Sequence, residues 1–375
     1  MGIIGRGPSF GSARAWSGTP AGLAEGLSQM GHEPFFISAD LPSWLNPLLR
    51  VSRALTGRPD PSFGFVQLRL LRKRYRPTQG DGPSRKWVQM GTDFGQPLPG
   101  DFVTFEDMTV RQLLPLVQVV SPGFSMHPRF VEARVRQQEA CYRKAVACCV
   151  ASHWAAEGVE AYGIEREKIH VTGLGCNHQV DVPRRDWSTP RFLFIGMAWA
   201  RKNGEGVVEA FERLREVVPE AQLSLVGDHP EVDRPGVTGY GPLRLDVASE
   251  RAEVERLLRL STCLVVPSLY EPFGMVYPEA GWAGLPSIGT VVGGCADAIG
   301  GGGVVVDPQD SSQLLAAMSA LCNPQLAMSL GEAARARAEL LTWRLVARRV
   351  MGALGVLDQA ESDLPPGHPL PLESL

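Results

Sequence analysis

Between residues 191 and 322 short apolar runs alternate with amphipathic stretches, and that alternation restricts the chain to an α/β fold with a parallel sheet. "RFLFIG" (191–196) is an apolar run closed by Gly196. In the following "NGEGVVEAFERLREVVPE", Val207, Ala210, Phe211, Leu214 and Val217 or Val218 recur at helical spacing. "AQLSLVG" (221–227) predicts the next strand. "SERAEVERLLRLS" (249–261) predicts a helix with Ser249 as N-cap and Leu257, Leu258 and Leu260 on its apolar side. "CLVVPS" (263–268), "PSIGT" and "GVVVD" (303–307) read as strands, and "PEAGWAGL" and "SSQLLAAMSALC" as helices. Strands that are apolar throughout, rather than alternating, belong to sheets covered on both faces.

The first half has the same character with less regularity. "GIIG" and "EPFFISA" predict strands. Between them "TPAGLAEGLSQMGHE" predicts a helix with Thr19 as N-cap, Pro20 at the first helical position and Gly31 past its end. "RQQEACYRKAVACCVAS" (136–152) gives a helix and a strand, "HWAAEGVEAYG" a helix, and "KIHVTGLG" a strand. The polar, Pro-containing "CNHQVDVPRRDWSTP" then marks a domain boundary around 178–190. The Pro-rich tail "ESDLPPGHPLPLESL" is expected to be disordered.

Composition excludes several classes. A hydrophobic fraction of 44% suits a globular chain, and 375 residues suffice for two domains. A net charge of -3 provides no global field for nucleic acid or an anionic membrane. The seven cysteines form no CxxC pair, which fits reduced thiols in a cytoplasm. "MGIIGRGPSF" has one Arg and no long apolar region, so no signal peptide is expected, and no run of 18 apolar residues predicts a membrane span. The run Arg69, Arg72, Lys73, Arg74 and Arg76 reads as a solvated face, or alternatively as a contact for anionic lipid or a phosphorylated acceptor.

The chemistry concentrates in "PSLYEPFGMVYPEAGWAGLP" (267–286). Its only charges are Glu271 and Glu279, in an apolar segment directly after a predicted strand. Ligands of doubly wound sheets sit outside the carboxyl ends of the strands, so Glu271 is expected to point into such a crevice. Phe273, Gly274 and Met275 would open a helix whose free N–H groups face the same space, with Glu279 two turns below Glu271. A carboxylate accepts hydrogen bonds from paired hydroxyls, which favours one acid for a sugar ring and one for a ribose. A solvated helix with two ordinary glutamates would not read "PFGMVYP".

Other candidates are weaker. Gly18, in "WSGTP" before a helix, permits close approach of a phosphate to the helix end, or simply makes a tight turn. Glu106 and Asp107 end a strand-like run and are candidates for gripping sugar hydroxyls; His127, in "SMHPRF", is a further one. "GRGPSFG" lacks the dinucleotide spacing, and "GGCADAIGGGG" has no Lys and is not a Walker loop. No Asp-x-Asp pair occurs in the sequence, and no metal is expected.

The stretch "PSLYEPFGMVYPEAGWAGLPSIGTVVGGCADAI" resembles the signature of the retaining GT4-type (group 1) glycosyltransferases, whose pattern is Glu, seven residues, Glu after a Pro-Ser strand end. "GMAWARKNGEGVVEAF" is similar to the segment opening that family's second domain, "KIHVTGLGCN" to its interdomain link, "VASHWAAEGVEAYGI" to the strand and helix before it, and "TWRLVARRVM" to its closing helix. The match is strong over about 145–350; earlier, "WSGTPAGLAEGL" and "FEDMTV" resemble some branches only. The resemblance implies that Glu271 contacts hydroxyls of the donor sugar and that the backbone of Phe273 and Gly274 lines sugar and phosphate. It also implies that Glu279 holds the ribose and Lys202 the diphosphate. Many members carry Arg directly after the glycine where this chain has Met197, and Arg201 is expected to supply that charge. Where many members have a His in the first domain, this chain offers Asp107.

The resemblance therefore implies a GT-B fold: two Rossmann-like doubly wound domains facing a central cleft, with a C-terminal helix returning to the first domain. The expected division is an acceptor-binding domain over 1–182, a nucleotide-sugar domain over 188–340, a closing helix over 341–358 and a disordered tail over 359–375. The implied function is retaining transfer of a sugar from a nucleoside-diphosphate sugar, UDP-sugar first among them, to an acceptor hydroxyl, in the cytoplasm. No cofactor beyond that co-substrate is implied, and any membrane contact would be peripheral. A sugar-nucleotide epimerase or phosphorylase on the same fold is the alternative, as is a non-catalytic partner protein.

Overall fold

The computed structural model describes residues 1–6, 10–12, 15–40, 85–92, 94, 100–120, 128–182, 184–357 and 362–374. The basic run at 69–76 and His127 lie outside them. The chain divides into two compact units, one of Met1–Gly175 with Trp343–Leu364, the other of Cys176–Thr342 with Pro365–Leu375.

In the first unit the strands are β1 (Gly2–Gly5), β2 (Phe35–Ser38), β3 (Lys86–Met90), β4 (Asp101–Glu106), β5 (Ala147–Val150) and β6 (Ile169–Val171). They pair in parallel in the order β2-β1-β3-β4-β5-β6. Parallel neighbours require crossovers, which α1 (Thr19–Ser28), α2 (Val110–Val120), α3 (Pro128–Lys144) and α4 (His153–Glu160) supply. Ile3, Ile4, Val88, Val103, Cys148 and Cys149 are sealed from solvent, as strands covered on both faces require.

The second unit holds β7 (Arg191–Ile195), β8 (Gln222–Val226), β9 (Val237–Gly239), β10 (Cys263–Val265), β11 (Ser287–Thr290) and β12 (Gly303–Val306). Its helices are α5 (Gly204–Arg215), α6 (Ala248–Leu260), α7 (Val276–Trp282), α8 (Cys295–Ile299), α9 (Ser311–Ala320) and α10 (Pro324–Glu339). The parallel order β12-β11-β10-β7-β8-β9 starts at β7 and runs outward in both directions. The two central strands, β7 and β10, are therefore the topological switch point, where a doubly wound sheet opens a crevice. The last helix, α11 (Trp343–Ala353), packs on α1 and so belongs to the first unit.

Several local expectations are corrected. Gly18, not Thr19, caps α1, because it takes the left-handed conformation (φ 85°), while Thr19 Oγ1 donates to the Trp16 carbonyl at 2.7 Å. Helix α6 begins one residue before Ser249, with Val247 at the cap. The Gly-rich stretch after β11 contains the short helix α8, buried through Cys295, Ala298 and Ile299. The Pro-rich tail is not disordered over 362–374. Leu364 is buried and donates its N–H to the Val171 carbonyl at 2.7 Å, and Asp363 accepts from the Val171 N–H at 3.1 Å. Gly367 then donates to Asp297 at 2.7 Å, and Leu370 to the Gly303 carbonyl at 2.8 Å. The tail thus satisfies the open backbone of two outermost strands, β6 and β12, and proline's restricted φ lowers the entropy lost on ordering it. Among the described residues no single helix is long and apolar enough to cross a membrane.

Candidate functional site

The segments that follow β7 and β10 meet at the switch point, where the Leu269 N–H donates to the Arg201 carbonyl at 2.8 Å. The turn after β7 carries Arg201 and Lys202, and Gly196 at the strand end makes room for them: a Cβ there would stand 2.8 Å from Lys202 Cγ. The segment after β10 carries Ser268 and Glu271. It is pinned to the strand beyond by Glu271 N–H to the Val292 carbonyl (3.0 Å) and Gly294 N–H to the Glu271 carbonyl (2.9 Å). That pairing needs a glycine at 293, where φ is 116° and a Cβ would meet the Glu271 carbonyl oxygen at 2.2 Å.

Glu271 is only 6% exposed, and its carboxylate is consumed on one side. Lys202 Nζ donates to Oε2, Arg201 Nη1 lies 3.5 Å from the same atom, and Ser268 Oγ donates to it at 3.1 Å. Among the described residues Oε1 accepts no hydrogen bond. Burial by itself would raise the Glu271 pKa, but the Lys202 and Arg201 charges and the Lys202 and Ser268 hydrogen bonds more than offset it and hold the carboxyl below its ordinary range. Arg201 is held in turn by the Tyr270 carbonyl at 3.1 Å and by the Tyr270 ring, 5.4 Å from its guanidinium carbon. The site therefore holds an ionised carboxylate with two cations on one oxygen and a free acceptor on the other.

Glu279 is the fourth residue of α7, one helical turn in rather than two turns below Glu271. Tyr277 fixes this helix by donating its hydroxyl to the Val266 carbonyl at 2.7 Å. Glu279 is half-buried and its carboxyl has no hydrogen-bond partner among the described residues. Burial pushes its pKa up to about 8. The Cys176 thiol is raised by its own burial and by the neighbouring Glu279. Phe273 turns its ring into the core, so it offers only backbone, while Gly274 (φ 85°) and the cap Met275 are half-buried at the opening of α7. Met197 is 62% exposed beyond the end of β7.

Of the expected site residues, Arg201, Lys202, Glu271, Phe273, Gly274, Met275 and Glu279 all follow the ends of β7 and β10, whereas Gly18 and Asp107 belong to the first unit. Asp107 is half-buried in the turn after β4. Glu106 is not available to a ligand as expected from its place at a strand end. Its buried carboxylate takes hydrogen bonds from the Tyr142 hydroxyl, Thr92 Oγ1 and, at 3.1 Å, Gln138 Nε2. Burial pushes Glu106 up to about 7, against the lowering effect of the Thr92 and Tyr142 hydrogen bonds. Sequence reasoning missed Ser268, whose only signal is its place three residues before Glu271. It also missed His229, which ties the loops after β8 and β9 together by accepting the Gly241 N–H at 3.1 Å and contacting Pro230 O at 2.8 Å.

Residues 189–323 match the model for "Glycosyl transferases group 1". The chain is 32% identical over 192 residues to glycogen synthase of Mycobacterium tuberculosis, covering 48% of this chain and 46% of that protein. It is 27% identical over 221 residues to mannosylfructose-phosphate synthase of Agrobacterium fabrum, covering 52% and 49%. The chain thus spans about half the length of the curated relatives it matches. Among solved structures, sucrose-phosphate synthase of Thermosynechococcus elongatus superposes with a TM-score of 0.68 at 21% identity, covering 94% of this chain and 98% of that one. Anabaena HepE in complex with UDP and glucose gives 0.59 at 14% identity, covering 95% and 100%. Residues 189–323 thus match the group 1 glycosyltransferases, in a chain whose α/β fold is of the GT-B type.

Proposed function

We propose that the protein is a retaining glycosyltransferase that moves a sugar from a nucleoside-diphosphate sugar, with UDP-sugar the first donor to test, to an acceptor hydroxyl in glycan, glycolipid or secondary-metabolite synthesis. The observation that carries this reading is the buried, ionised Glu271 with Lys202 and Arg201 at the switch point of the second sheet. Departure of the diphosphate builds negative charge, and two fixed cations in a site removed from water stabilise it without reorganising. Glu271 Oε1 is the free acceptor for sugar hydroxyls, and the partnerless Glu279 carboxyl is the acceptor for a ribose. The acceptor hydroxyl attacks from the face the diphosphate leaves, which calls for no carboxylate nucleophile on the far side. Asp107 and His127 are the first-unit residues assigned to the acceptor side.

UDP leads the donor list because HepE, which shares the fold, was solved with UDP and glucose. The reading places the enzyme in the cytoplasm with no metal or further cofactor. A panel of UDP-, GDP- and dTDP-sugars read by thermal shift, followed by product analysis with sugar acceptors, tests it. A stabilising donor and a glycosylated product are expected. An isomerised sugar nucleotide, or phosphorolysis in place of transfer, overturns it.

A further inference from the structure

Lys202 and Arg201 both spend their charge on one oxygen of Glu271. Lys202 is 12% exposed and Arg201 25%, and a largely desolvated ammonium needs an anion. Ser268, fully buried, adds a hydroxyl donor to the same oxygen. Three donors converging on one atom, two of them cationic, is the environment that a phosphate oxygen seeks. A diphosphate and the Glu271 carboxylate thus want the same donors, and they repel each other.

We propose that Glu271 Oε2 is a built-in stand-in for an oxygen of the donor diphosphate, which the arriving donor must displace from Lys202. The inference rests on the donor reading above and adds a regulatory step to the same site. When the diphosphate takes Lys202, Oε2 loses its strongest partner. An intact sugar donor compensates by presenting hydroxyls to the released carboxylate. A nucleoside diphosphate without its sugar does not, and leaves a buried carboxylate under-satisfied beside a phosphate. Glu271 therefore favours intact donor over spent nucleoside diphosphate, and by re-forming its pair with Lys202 it helps expel the product.

The test measures binding of UDP, GDP, dTDP and inorganic diphosphate to the full chain by calorimetry, in wild type, Glu271→Gln and Glu271→Asp. Gln keeps the shape and removes the charge; Asp keeps the charge but withdraws it by one methylene, and serves if the Gln variant fails to fold. The nucleoside diphosphate that binds wild type, and inorganic diphosphate, are expected to bind Glu271→Gln on the order of tenfold tighter, since a like charge close to the ligand has been neutralised. Glu271→Asp should fall between the two. The intact sugar donor should gain less than the nucleoside diphosphate, because the sugar loses its acceptor. Unchanged or weaker nucleoside-diphosphate binding in both variants, with wild-type binding intact, overturns the stand-in and leaves the donor reading standing. If none of UDP, GDP and dTDP binds wild type, the donor reading falls and the stand-in falls with it.

Discussion

Ser268 Oγ donates to Glu271 Oε2 at 3.1 Å across three residues of chain, and both residues are buried. The bond fixes which carboxylate oxygen faces the cations and which stays free. Removing the hydroxyl leaves Glu271 with Lys202 and Arg201 as partners but frees its carboxylate to rotate.

Ser268→Ala is therefore expected to weaken sugar-donor binding by about 1–2 kcal/mol, with cooperative unfolding preserved. Ser268→Thr, which restores a hydroxyl, should recover most of the loss. Donor titration of the three proteins checks this; an Ala variant that binds like wild type removes Ser268 from the positioning of Glu271.

Glu279 provides a pH signature. With its pKa pushed up to about 8 by burial, it is mostly neutral at pH 7 in the free protein. Between the unfolded value near 4.5 and about 8 the folded state holds the extra proton, so its contribution to stability is full below 4.5 and is lost as pH rises through 8. Glu279→Gln should flatten the decline in stability between pH 6 and pH 9, read by urea unfolding. Ribose hydroxyls prefer the carboxylate, so wild-type donor binding should release a proton below pH 8, while Glu279→Gln binding should release none from this site. Calorimetry in buffers of different ionisation enthalpy measures that proton; identical proton release in both proteins places the ribose elsewhere.

Glu106 illustrates what a sequence conceals. An acid at a strand end looks like a ligand group, but Thr92, Gln138 and Tyr142 meet it from 14 to 36 residues away, and no local pattern brings them together. Glu271 and Glu279 stand out as candidates in the sequence because isolated acids in an apolar segment after a strand have few structural uses. Ser268 was not, because "PS" reads as the end of a strand whether or not the hydroxyl has a partner. The alternating strands and helices were legible because burial on both faces makes strands apolar throughout. The tail was misjudged because composition measures the chance of forming a core of its own, whereas Leu364 uses a core that exists and Leu370 an edge already formed.

The Glu106 cluster itself gives a stability prediction. Glu106→Ala leaves three buried hydrogen-bonding groups short of a partner and should cost about 2–4 kcal/mol in urea unfolding. Glu106→Gln keeps the shape and should cost less. Because the folded pKa is pushed up to about 7, the stability tied to the extra proton is complete below 4.5 and lost as pH rises through 7. The wild-type advantage over Glu106→Gln should accordingly shrink from pH 5 to pH 8. An advantage that grows with pH would mean that the folded carboxyl is held ionised.

Metal and stereochemistry are tested together. Lys202 and Arg201 are fixed cations at the crevice, and the sequence contains no Asp-x-Asp pair. Turnover is expected to survive EDTA, because side-chain cations meet the charge of the leaving diphosphate. The attack proposed on the same face predicts an α-linked product from an α-linked donor. The two halves rest on one site but fail separately. Activity lost in chelator and restored by magnesium or manganese would require an acidic cation site beside the diphosphate. A β-linked product, identified by its anomeric proton coupling, would require a general base opposite the leaving group. Asp107→Asn and His127→Ala would then be the first variants to examine, since an inverting base removed by either should abolish transfer while leaving donor binding intact.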